Sequence, residues 1–186
     1  MKRYLMVFAV IIFVLNGYCQ TIKFLNIPMG TPIYEVINSL TKKGFKYYSE
    51  MSNKDNYADT YLFSGRFAGE NANISVFVTP KSHKMYSVTV RFPDYTYYYD
   101  GSGISKELFE SKYKMIKEGV GSKYNVLTEP FESSTDSCPY ITLWSTEKWR
   151  IAVSGFNMSG NNLILLVKYD DLVLSEESQK EANEDF

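Results

Sequence analysis

Apolar residues along this chain follow two periods that take turns. Ile33, Val36, Ile37 and Leu40 recur at helical spacing and define one apolar stripe. Thr31 stands where a helix cap is wanted, and Pro32 fits the first helical position, whose N–H has no intrahelical partner. Lys42 and Lys43 suit the negative end of the helix, and Gly44 can take the left-handed conformation that closes it. Ahead of this helix, Ile22, Phe24, Leu25 and Ile27 run into Pro28-Met29-Gly30 as a short extended segment and turn. Residues 49–59 are polar and turn-like and read as a loop.

The period then drops to two. Tyr61, Phe63, Gly65 and Phe67 alternate with Leu62, Ser64 and Arg66. Ile74, Val76 and Val78 alternate with Asn73, Ser75 and Thr79, with Phe77 as an exception on the polar side. Tyr86, Val88, Val90 and Phe92 alternate with Ser87, Thr89 and Arg91. Such runs predict antiparallel strands with one face buried and one wet. Gly69-Glu70-Asn71 and Pro80-Lys81-Ser82 are short enough to be their hairpin turns.

The same order returns. Leu108, Phe109, Lys112, Tyr113 and Ile116 share a helical face in 105–118, with Ser105 as cap and Gly119 and Gly121 as terminators. A loop with Pro130 and Pro139 leads to strand-like runs at 140–145, 149–156 and 163–169. Glu147-Lys148 and 157–161 supply the turns between them. Helix then three strands, twice, predicts an α+β fold of tandem repeats at about 28–94 and 103–171 within one domain, 20–174. The repeats form an antiparallel sheet with helices on one face. Gly44-Phe45-Lys46-Tyr47 and Gly121-Ser122-Lys123-Tyr124 are only loosely alike, so the duplication rests on element order. The closing stretch, 175–186, is acidic, and Ser175 ahead of Glu176 and Glu177 starts either a short helix or a tail.

The opening of the chain obeys neither period. Lys2 and Arg3 precede eleven uninterrupted apolar residues, 5–15, and then a small polar exit at Asn16, Gly17, Tyr18 and Cys19. That is the three-part pattern of a secretory signal peptide, too short for a permanent membrane span. Gly17 and Cys19 place the cut between Cys19 and Gln20, so 1–19 is the leader and the mature protein is periplasmic or extracellular. The rival reading makes Cys19 a lipid-bearing first residue, but Tyr18 and Asn16 depart from that pattern.

Composition narrows the picture. With 16 Tyr, 12 Phe and 2 Trp in 186 residues and 45% hydrophobic content, the chain can bury a core and is not disordered. A net charge of −1 lacks the cationic excess of a nucleic-acid binder. Removing 1–19 leaves 18 basic and 21 acidic residues, and it leaves Cys138 alone, without an internal disulfide.

Candidate chemistry is thin. Two Cys and one His exclude a Cys/His zinc site, and Asp94, Asp100, Asp170 and Asp171 lack EF-hand spacing; Asp170-Asp171 reads as a solvated turn. His83, between Ser82 and Lys84, reads as a solvated turn residue. Gly101-Ser102-Gly103 joins a strand to a helix but lacks the Gly-Lys-Ser/Thr of a phosphate loop, and reads as a flexible linker. No metal or other cofactor is expected. What remains is the ring cluster Tyr95, Tyr97, Tyr98 and Tyr99, placed in a loop, and the pair Arg66 and Arg91 on the wet side of their strands with Ser64, Ser75, Ser87 and Thr89. Rings give contact area at low entropic cost, and a hydroxyl-rich basic sheet face suits an anion or acidic partner. The expected function is therefore a non-catalytic binding module for a protein, peptide or glycan outside the cytoplasm. Glycan binding through exposed Tyr and Trp144 or Trp149 is the alternative, ahead of a carboxylate-dependent hydrolase.

The leader, the segment Phe24-Leu25-Asn26-Ile27-Pro28 and the helix ending in Lys43-Gly44-Phe45 resemble a group of uncharacterised exported proteins of Bacteroidetes. That likeness covers about 25 residues of the mature start and speaks to origin, not activity. The tandem helix-plus-strands order also looks like the β-lactamase-inhibitor-protein architecture, in which two repeats share one curved sheet that holds a partner on its open face.

Overall fold

The fold is that of a computed structural model describing residues 21–54, 59–157 and 161–183, apart from the side chains of 50–54. The expected leader, 1–19, and its expected cleavage pair, Cys19 and Gln20, lie outside the described residues. From Ile22 onward the chain is already core. Strands β1 (Lys23–Phe24) and β2 (Ile27–Pro28) form a hairpin whose turn residues, Leu25 and Asn26, both have positive φ. It buries Ile22, Phe24, Ile27 and Met29. The Phe24 ring stacks 5.8 Å from Phe67 and meets Tyr169 edge-on at 5.4 Å, so it touches both halves of the main sheet.

Helix α1 (Ile33–Lys42) buries Ile33, Val36 and Leu40, as its stripe requires, and Gly44 follows at φ 87°. Thr31 does not cap it. Its hydroxyl donates to the Pro28 carbonyl, and Pro32 holds the capping position without a side-chain bond. Strands β3 (Lys46–Lys54), β4 (Asp59–Phe67), β5 (Glu70–Val78) and β6 (Met85–Tyr98) follow as an antiparallel meander. Helix α2 (Lys106–Tyr124) starts at Ser105, whose hydroxyl accepts from the Leu108 N–H. A second meander comprises β7 (Phe131–Thr135), β8 (Cys138–Ser145), β9 (Trp149–Asn157) and β10 (Asn162–Asp171). Helix α3 (Leu172–Asn183) ends the described chain.

The fold is α+β, dominated by one eight-stranded antiparallel sheet in the order β3-β4-β5-β6-β10-β9-β8-β7. Each helix α1 and α2 is thus followed by four strands, not the three expected. Residues 49–54 continue β3 and do not loop, and the loop expected before Pro139 contains β7. These are the two edge strands. An edge strand has one neighbour and little to bury, and β7 is exposed at all five positions, so it shows no alternation.

The inward sets of the two meanders, including Phe63, Val76, Val88, Ile151, Val153 and Val167, join Val36, Leu40, Phe109 and Ile116 of the helices in a single core. Two glycines let rings lie flat on the strands. A Cβ at Gly65 would sit 2.4 Å from Phe45 Cδ1, and one at Gly155 would sit 2.9 Å from Phe109 Cζ. Among the described residues no helix is long and apolar enough to cross a membrane.

Helix α3 begins earlier than Ser175 and closes one end of the sheet. Asp171 caps it by accepting from the Leu174 N–H at 3.0 Å, and the Leu172 N–H donates to the Lys148 carbonyl. Glu181 accepts from the backbone N–H groups of Lys81 and Ser82 and from the Ser82 hydroxyl, while Glu177 meets Lys84 at 3.3 Å. Part of the acidic closing stretch is therefore bound within the chain.

Candidate functional site: the open face of the sheet

Side chains alternate across a strand, so register decides what shares the face away from α1 and α2. One row runs Lys46, Ser64, Asn73, Arg91, Leu166, Ser154, Ile141 and Ser133 across all eight strands. The next runs Tyr48, Leu62, Ser75, Thr89, Lys168, Ala152, Leu143 and Phe131. A third carries Thr60, Phe77, Ser87, Asp170, Arg150 and Ser145. This is a hydroxyl-rich surface, with more apolar side chains toward β7 and β8.

Arg91 stands near its middle. Tyr48, Leu62, Asn73, Ser75 and Arg91 line a groove of about 420 Å³. Among the described residues the Arg91 guanidinium has no ion pair or hydrogen bond. Lys46 reaches over the Tyr48 ring at 4.8 Å. Arg66 belongs to the same face but spends its donors at home, with its Nε and Nη2 on the Gly69 carbonyl that closes the β4–β5 turn. The two arginines lie on β4 and β6 with β5 between them, so they form no pair.

Asp170 is the polar anchor that sequence reasoning missed. It is buried at the end of β10, not in a solvated turn, and accepts the Ser87 hydroxyl at 2.7 Å. Arg150 Nη2 lies 3.2 Å from its Oδ2, and Lys168 Nζ lies 3.1 Å from its Oδ1. The missed signal was the alternation in β10, which puts Lys168 and Asp170 on one side.

The tyrosines lie on strand and turn, not in a free loop. Tyr95, Tyr97 and Tyr98 belong to β6, which continues past a register shift opposite Ile164 and Leu166. Tyr95 is buried, so its ring offers no binding surface. Its hydroxyl donates to Glu70 Oε2 at 2.5 Å, and Lys112 Nζ lies 2.9 Å from Glu70 Oε1 and 4.9 Å from the ring. The bond from Tyr95, followed by Lys112, holds the Glu70 carboxyl below its ordinary value. Tyr97 and Tyr99 meet edge-on at 5.4 Å on the helix side. There they add to burial and Glu110 in pushing the Tyr140 phenol up to about 12. Tyr98 and Tyr99 are exposed at 37% and 51%. The Gly101–Gly103 segment is a built turn, not a flexible linker. Asp100 accepts from the Ser102 N–H and hydroxyl, and Gly103 bridges to Tyr97.

Among the described residues the remaining groups do not assemble a catalytic constellation. His83, at φ 49°, is half exposed, with Nδ1 3.6 Å from the buried Asp59 carboxylate. The neighbouring Ser82 hydroxyl is engaged by Glu181 and Thr79. The groove beside Asp170 contains that carboxylate alone, and the one beside Arg91 contains none. Among the described residues no three His, Cys, Asp or Glu side chains gather as a metal site. Trp144 and Trp149 are buried on the helix side, and burial raises the pKa of the half-buried Cys138 thiol.

The chain is thus an α+β protein with a broad sheet face that neither α1 nor α2 covers, bordered at one end by α3, whose Leu172 and Ser175 line a groove with Phe77, Ser87 and Asp170. It matches no protein-family model, no curated protein and no solved structure.

Proposed function

We propose that this chain is an exported, non-catalytic binding module that holds a partner on the open face of its sheet. The observation that carries the reading is Arg91, a strand residue over a groove of about 420 Å³ whose guanidinium has no ion pair or hydrogen bond among the described residues. A charge without an internal partner adds nothing to folding, and exposed contiguous grooves with apolar walls are where partners settle. The signal-like leader supports export, and the partner would then be met in the periplasm or outside the cell. Two repeats support the breadth of the face. Reading inward from either edge gives one meander in chain order, β3 to β6 or β7 to β10, each preceded by a helix. This arrangement resembles the β-lactamase-inhibitor-protein architecture.

A second reading, glycan binding, draws on the exposed rings of Tyr98 and Tyr99 beside the Gly101–Gly103 turn. One experiment separates the two. Envelope proteins and envelope polysaccharide are captured on the native chain, on Thr89→Trp, which blocks the open face, and on Tyr98→Ala/Tyr99→Ala. Loss of a protein ligand with Thr89→Trp alone supports the sheet face. Loss of a polysaccharide ligand with the double variant alone supports the rings. Capture unchanged by Thr89→Trp rejects the leading reading.

A further inference from the structure

The open face and the whole chain differ in the sign of their charge. The chain carries a net −1, yet the described charges in the three rows are Lys46, Arg91, Lys168 and Arg150 against Asp170. Arg91 lies opposite Leu166, Lys168 opposite Ala152, and Arg150 opposite Asp170. The three cations therefore stand on adjacent strands, β6, β10 and β9, each displaced two residues from the last. Diagonal neighbours of this kind are roughly 7–8 Å apart, so the stems form an oblique cationic ladder.

Asp170 positions this ladder without neutralising it. One carboxylate serves both Arg150 and Lys168, each still 46% exposed, and among the described residues no carboxylate pairs with Arg91. The ladder is bordered by apolar side chains, Leu62 on one side and Leu166, Leu143 and Ile141 on the other. A uniformly charged polymer has nothing to place on those side chains, whereas a polypeptide carries charged and apolar groups together.

We infer that the open face receives an acidic polypeptide segment, whose carboxylates meet Arg91, Lys168 and Arg150 while its apolar side chains settle against Leu62, Leu143 and Leu166. This rests on the open-face reading above and names the chemistry of its partner. Complementary charge fixes the register of the segment, and apolar contact supplies much of the affinity.

Fluorescence anisotropy with labelled peptides tests the inference. Three peptides share their leucine and phenylalanine positions and carry glutamate, glutamine or lysine at all the others, with alginate as an anionic sugar polymer. Arg91→Glu removes a charge that makes no bond among the described residues, Lys114→Glu makes the same change on the far side of α2, and Thr89→Trp blocks the face. The glutamate peptide should bind best, weaken about tenfold in Arg91→Glu and in high salt, and be indifferent to Lys114→Glu. Equal binding of the three peptides, or no effect of Arg91→Glu, overturns the inference. The open-face reading survives that result if Thr89→Trp abolishes binding, and falls with it otherwise. Alginate binding as tightly as the glutamate peptide overturns the polypeptide assignment, and no binding by any peptide overturns the inference as a whole.

Discussion

Glycine at position 65 shows how far one side chain can set the shape of this molecule. Phe45 lies so close over the strand that a Cβ at Gly65 would fall 2.4 Å from its ring, and Phe45 itself is buried. Gly65→Ala should cost about 1–3 kcal/mol, read as a fall in the denaturant midpoint without a change in slope. An unchanged midpoint would mean that Phe45 has room to withdraw. The sequence shows Gly65 on the apolar side of its strand, but not the ring above it, because that ring comes from Phe45, beyond the end of α1. Asp170 was hidden for a similar reason. Its three partners are Ser87, Arg150 and its own strand neighbour Lys168, and two of them come from other strands, Ser87 from β6, far away in the chain, and Arg150 from β9. Arg91, by contrast, was legible on the wet side of its strand because period-two alternation alone puts it there.

Elements were read best where they bury something. Helix α1 and the inner strands β4, β5, β8, β9 and β10 follow their patterns because each packs one apolar face against the core. The edge strands β3 and β7 do not, and β6 looked shorter than it is because its register shift interrupts the alternation before Tyr97 and Tyr98. Helix α3 was half legible, since its first turn is capped by Asp171 and its acidic residues point partly inward. Burial raises the pKa of Glu181, but donation from Ser82 and the Lys81 and Ser82 N–H groups, aided by Lys84, outweighs it and leaves the carboxyl below its ordinary value of 4.5. A lowered folded pKa means that this clasp is complete above 4.5 and is lost as pH falls through the lowered value. Glu181→Ala should therefore loosen α3 by about 1–3 kcal/mol at neutral pH, seen as faster amide exchange in α3 than in β10. In the native protein the same loss of protection should appear on acidification, with Glu177 and Lys84 as the other charges in contact. Equal exchange in native and variant α3 at neutral pH would show that apolar packing alone holds the helix.

At the scale of the whole molecule, one face of an eight-stranded sheet builds the core and the other carries the polar rows around Arg91. The helices, the N-terminal hairpin and the inward side chains account for the first face. Among the described residues none pairs with Arg91 on the second, and the proposal is that a partner does. The most direct measurement is site-specific photocrosslinking in the envelope, with a photoreactive residue at Thr89 on the open face or at Ser111 on the exposed side of α2. With a partner on the open face, Thr89 should give a discrete adduct that Arg91→Glu diminishes, and Ser111 should give none. Adducts from Ser111 alone, or the same adduct from both positions, would contradict the proposal.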